Sequence, residues 1–170
     1  MVLGERLMKF YWLKQSLVIL FLVLFAFIAN FNMVNPYLTM EHTLPKQLVT
    51  LVSILLILFA CTQLLYNYAK NKKQFMQHPI WDKMFIILLV WLMISFVLFI
   101  VFFFTTPLQG ILSQHAWLMF IVVYYFLFFT NLFILSIVHK MMDSSIKIEK
   151  KLVITWISSS LLTVIILFVG

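Results

Sequence analysis

The sequence predicts an all-α integral membrane protein: one polytopic domain over residues 1–170, an antiparallel bundle of five transmembrane helices with the amino terminus cytoplasmic and the carboxyl terminus external. Three observations predict it. Apolar residues make up 65% of the chain and charged residues only 10%, with a mean hydropathy of +1.11, whereas a soluble domain averages about 45–50% and about 25%. Folding in water does not hide such an excess, so lipid is the solvent for most of the chain. The apolar residues also fall in five runs of the length needed to cross a hydrocarbon core of about 30 Å as a helix. Finally, the basic residues are confined almost entirely to one set of connections. The runs are apolar on every face, unlike the alternating strands of a membrane barrel.

The first span, 17–33, follows a lead-in in which Leu3, Leu7, Phe10, Tyr11 and Trp12 are interleaved with Arg6 and Lys9, the composition of an interfacial segment. Asn30 and Asn32 mark its outer end. Ala26-Phe27-Ile28-Ala29-Asn30 offers no small-x-small cleavage site, so the run reads as a retained span. The second span, 48–66, holds Cys61, the chain's only cysteine. An intramolecular disulfide is therefore excluded, and the thiol reads as a small core hydrophobe.

The third span, 84–104, has Ser95 as its only conventional polar residue. The fourth, 116–138, carries Tyr124 and Asn131, seven apart and so on one face, with Asn131 near mid-membrane. An amide in hydrocarbon seeks a partner, and the candidates are the fifth-span hydroxyls or Thr62 and Gln63 on the second span. In the fifth span, 152–170, Thr155, Ser159 and Thr163 fall at i, i+4 and i+8 beside Ser158 and Ser160. Small hydroxyl residues at that spacing let helices approach closely and bond across the contact. Thr155, Ser159, Thr163 and Asn131 are thus the candidate helix-interaction face, either for this protein's own spans or for another membrane protein. Trp81 and Trp117 open the third and fourth spans, where indole rings favour the headgroup level.

The connections set the orientation. Arg6, Lys9 and Lys14 precede the first span; Lys70, Lys72, Lys73 and Lys83 lie between the second and third; Lys140, Lys147, Lys150 and Lys151 lie between the fourth and fifth. Eleven of the twelve basic residues therefore fall on one side, with only Lys46 on the other. By the positive-inside rule the side they share is cytoplasmic.

Composition also limits function. A soluble enzyme, a nucleic-acid-binding domain, a disulfide-rich secreted module and a disordered segment are excluded. No Asp, Glu, Lys, Arg or His lies inside the five spans, and Gly and Pro lie outside them or at their edges. The chain thus lacks the broken helices of secondary transporters, a proton relay and a charge ring for ion selection.

Four histidines sit at span edges: His42 and His115 outside, His78 and His139 inside. His78 precedes Asp82 by four residues, as His139 precedes Asp143. Four residues is one helical turn, so two neighbouring helix ends carrying these pairs would assemble a partly nitrogen-ligated metal site. This is the basis of an alternative reading as a membrane enzyme or metal-binding protein. With no histidine inside a span, buried bis-histidine haem ligation is disfavoured, and no catalytic or phosphate-binding motif occurs.

The leading expectation is a non-catalytic membrane protein without metal or cofactor. It binds the lipid bilayer and another integral membrane protein or itself, as an accessory subunit of a membrane complex or as an immunity-type protein. An oligomeric channel or transporter component is the second alternative. Lysine outnumbers arginine 11 to 1, and 19 phenylalanines stand against 3 glycines, a codon bias that points to the plasma membrane of a low-GC bacterium.

Overall fold

In hydrocarbon a backbone amide without a partner is costly, so an apolar run of membrane length closes its hydrogen bonds internally as a helix. The computed structural model describes residues 2–34, 43–72, 75–105, 110–112, 115, 117–142 and 146–169, and over them it is helical with no strand. Five long helices occur: α1 Val2–Val34, α2 Thr43–Asn71, α3 Trp81–Thr105, α4 Trp117–Met141 and α5 Ile148–Val169. A short 3-10 turn, Phe75–Gln77, lies between α2 and α3. Each long helix contains a stretch long and apolar enough to cross a membrane. The chain is a multi-pass helical membrane protein by these criteria.

Each predicted span falls on a helix, but the helices run past the span limits; residues 116 and 170 lie outside the described residues. α2 continues to Asn71, α4 takes in His139 and ends at Met141, and α5 begins at Ile148, so that Lys151 is helical. Hydrophobicity sets where lipid ends, whereas end-charges and capping set where a helix ends. Several charges conform, namely Lys70 in the last turn of α2, Asp82 in the first of α3, His139 and Lys140 in the last of α4 and Glu149 in the first of α5, whereas Lys83, Lys150 and Lys151 stand in first turns with the opposite sign. Each of the conforming charges opposes the helix dipole at its terminus.

α2, α4 and α5 pack against one another as the centre of the bundle. α1 lies on α2 and α4, and α3 lies on α4, so α4 touches all four other helices. The burial pattern follows. The apolar stretch of α1 contains no buried residue, and α3 buries only Trp81 and Leu88. α2 turns Ile57, Cys61, Leu65 and Ala69 inward, a stripe at four-residue spacing whose small members admit a close neighbour. Cys61 is a buried free thiol.

The interior holds polar side chains as well as apolar ones. Asn67, Asn131, Ser136, Lys151, Thr155 and Ser159 are buried, while most large apolar side chains of α3 face outward. With lipid as solvent this is the stable arrangement, because a Leu loses nothing against acyl chains and an amide or hydroxyl gains a partner inside.

Hydrogen bonds hold the two flanking helices to the centre. Gln15 Nε2 donates to the Leu64 carbonyl at 3.3 Å, and the Tyr124 hydroxyl to the Leu22 carbonyl at 3.1 Å, both fastening α1. α3 is fastened by Tyr125, whose hydroxyl accepts from Trp91 Nε1 at 2.8 Å and shares a 2.7 Å hydrogen bond with Ser95 Oγ. Trp91 and Ser95 are one turn apart, so one phenol reaches both.

Candidate functional site

Two polar assemblies stand out, one midway along α4 and one at the basic end of the bundle. Midway along α4, Asn131 is fully buried and reaches two helices at once. Its Nδ2 donates to Thr62 Oγ1 of α2 at 3.1 Å, and its Oδ1 accepts from Ser159 Oγ of α5 at 2.9 Å. Thr62 in turn donates to the Leu58 carbonyl at 2.9 Å. Donor and acceptor ends of one amide are thus used on different neighbours, which fixes the way the amide points.

The other hydroxyls of the α5 stripe close on their own helix. Thr155 Oγ1 donates to the Lys151 carbonyl at 2.8 Å, and Thr163 Oγ1 to the Ser159 carbonyl at 2.9 Å. Thr155 and Ser159 are buried inside the bundle and Thr163 is half-buried. The face carried by Thr155, Ser159 and Asn131 therefore meets this chain's own helices.

The second assembly lies where α2 ends, α3 begins, α4 ends and α5 begins. Past the end of α2, Lys72 N–H still donates to the Tyr68 carbonyl at 3.0 Å, one helical turn back, and Phe75 N–H donates to the Lys72 carbonyl at 2.9 Å. Trp81 then donates its Nε1 proton to the Phe75 carbonyl at 2.6 Å and is itself buried. Tyr68, Phe75 and Trp81 meet edge-to-face, with ring centroids 4.9 and 5.1 Å apart, a geometry that aromatic quadrupoles favour.

On its far side Trp81 packs against the His139 ring at 5.4 Å. Lys151 is 2% exposed, with Nζ 3.3 Å from His139 Nδ1 and 3.5 Å from the Met142 carbonyl. Between α2 and α3 lies an open recess of about 650 Å³, lined by the Tyr68–Phe75–Trp81 wall, by Ile80 and Met84, and by Asn71, Lys72 and His78 at the rim.

Of the two His/Asp pairs only the first lies wholly within the described residues. His78 lies in the bend before α3, which begins at Trp81, so His78 and Asp82 do not share a helix face. Pro79 accounts for this by disfavouring helical backbone at the residue before it. His78 Nδ1 instead accepts from the Ile80 N–H at 3.3 Å. His139 is in the last turn of α4 against Trp81 and Lys151, whereas Asp143 and His42 lie outside the described residues. His115 is exposed. Among the described residues no group of three His, Cys, Asp or Glu side chains is placed to hold a metal ion.

Spacing did not single out three of these features: the burial of Lys151, the Tyr125 clasp and the recess. Lys151 was within reach, since Lys151, Thr155, Ser159 and Thr163 continue one series at four-residue intervals. Extending the hydroxyl stripe by one turn places that lysine on the inward face.

Comparison with protein-family models, with curated proteins and with solved structures finds no significant match to this chain.

Proposed function

We propose that this protein is a non-catalytic component of a membrane assembly, acting by helix-to-helix contact with a second integral membrane protein, as an accessory subunit or an immunity-type protein. We place it in the plasma membrane of a low-GC bacterium, as an antiparallel five-span bundle with its basic end in the cytoplasm. One observation supports the functional reading above others: seven polar side chains of the spans bond within the bundle, although the buried Trp156 Nε1 and Ser160 Oγ have no hydrogen-bond partner among the described residues. Asn131, Ser159, Thr62, Tyr124, Tyr125, Trp91 and Ser95 are all engaged with other residues of the same chain. They are therefore committed to holding the bundle rather than to lining a path across it.

What the bundle offers outward is an apolar surface, broadest on α3, where Ile94 and Leu98 are half-exposed one turn apart on a helix that rests on α4. In lipid such a surface gives up nothing by exchanging acyl chains for a well-fitted helix. The α5 hydroxyl face is occupied internally, so α3 is the docking face in this reading.

Photoreactive residues installed at Ile94 and Leu98, irradiated in native membranes and followed by mass spectrometry, test it. The expected result is one defined second membrane protein captured from both positions and none from the fully buried Leu135. Adducts to lipid alone, or only to further copies of this chain, would contradict the proposal.

A further inference from the structure

We propose that the recess between the end of α2 and the start of α3 is a binding site for the headgroup of an anionic phosphoglyceride from the surrounding bilayer. This does not rest on the protein partner above: the headgroup recess lies at the start of α3, although the α3 face below it continues toward Ile94 and Leu98.

The chemistry of the recess is one-sided. Its rim carries Lys72, Asn71 and His78, and among the described residues no carboxylate lines it. Lys72 supplies a positive charge, with Nζ held 5.5 Å from the centre of the Tyr68 ring. The Asn71 amide supplies donors. His78 Nδ1 accepts the Ile80 N–H at 3.3 Å, so the neutral imidazole carries its proton on Nε2 and presents a donor there. Three donor groups, one of them cationic, around an opening without acidic side chains among the described residues, are complementary to a phosphate oxyanion.

The volume of about 650 Å³ lies in the range of small-molecule sites and holds a glycerophosphate-sized group. The wall behind the rim is the edge-to-face set of Tyr68, Phe75 and Trp81, which is rigid because Trp81 is buried and bonded to the Phe75 carbonyl.

Position selects a lipid over a dissolved phosphate ester. The recess sits where the apolar stretches of α2 and α3 end, at Asn71 and Trp81, which is the depth of the headgroups. Below it, Met84, Ile87 and Trp91 descend one face of α3 at helical spacing, and Ile87 and Trp91 are exposed. That strip is an apolar track for the acyl chain of a lipid whose phosphate is held at the rim. Lysines near the anionic surface of a bilayer and basic pockets between helix ends recognise such headgroups.

The test uses the full chain, delipidated in mild neutral detergent, and native mass spectrometry with phosphatidylglycerol or phosphatidylcholine of equal chain length. The expected result is retention of one phosphatidylglycerol per chain at concentrations where phosphatidylcholine is lost. Lys72→Gln should weaken that retention about fivefold, the effect of one lysine at an anionic surface. Lys72→Arg should preserve it, and Lys150→Gln, which alters an exposed lysine away from the recess, should leave it unchanged. Lys72 is itself exposed, so its replacement leaves the aromatic wall in place. Equal retention of the two lipids, or equal effects of Lys72→Gln and Lys150→Gln, would overturn the site. Displacement of the bound lipid by glycerol 3-phosphate at matched concentration would overturn the lipid as its occupant and assign the recess to free phosphate esters.

Discussion

Asn131 ties three helices together, because its amide bonds to α2 and α5 at once. An interhelical hydrogen bond in a membrane contributes about 0.6 kcal/mol on average and up to about 1.7. Asn131→Ala removes two of them and leaves a small cavity, so a loss of about 1–3 kcal/mol in detergent is expected. Ser159→Ala removes one and should cost less. The two sites are in direct contact, 2.9 Å apart, and the double variant should therefore fall short of the summed losses by about 0.5–1.5 kcal/mol. Strict additivity in that double-mutant cycle, measured by unfolding in mixed micelles, would show that the Asn131–Ser159 bond is not made. Lys151 belongs to the same series one turn toward the basic end. It is buried, and its ammonium reaches the His139 ring and the Met142 carbonyl.

Among the elements, α4 is the axle. Tyr124 and Tyr125 are adjacent in sequence and so point about 100° apart on a helix of 3.6 residues per turn, which is how one fastens α1 and the other α3. Removing either hydroxyl should loosen one flanking helix only. Tyr125→Phe should raise hydrogen exchange in peptides of α3 with α1 unaffected, and Tyr124→Phe the converse, as read by peptide-resolved exchange in detergent. Loosening of both flanking helices by one substitution would mean that the two clasps are not separate. The five helices were legible in the sequence because membrane length and hydropathy decide them. Asn131 was legible too, since an amide at mid-span needs a partner, and the structure gives it Thr62 and Ser159 from the residues that spacing had put within reach. The Tyr125 clasp was not, because periodicity reports which face a residue occupies and not which neighbour faces it. The His78–Asp82 spacing, the basis of the alternative metal reading, does not give a shared helix face for a local reason: four-residue spacing has meaning only where the backbone is helical, and the residue before Pro79 is not.

At the scale of the whole molecule, the structure gathers the α2–α3 and α4–α5 connections at one end through Phe75, Trp81, His139 and Lys151. Described lysines of both connections, Lys70, Lys72, Lys83, Lys140, Lys147 and Lys150, stand at that end with the recess. The charge count made this asymmetry legible, whereas the recess itself depends on the Tyr68–Phe75–Trp81 contacts, which no sequence period encodes. The partner face on α3 and the headgroup site both presuppose five crossings with the basic end in the cytoplasm. That claim is tested most directly by single cysteines in a Cys61→Ser background, probed in intact cells with an impermeant thiol reagent. Cysteines at Thr43 and Gln109 should label in intact cells, and cysteines at Asn71 and Ser145 only after lysis. The reverse pattern would contradict the orientation, and labelling of Thr43 and Gln109 from opposite sides would contradict the five crossings.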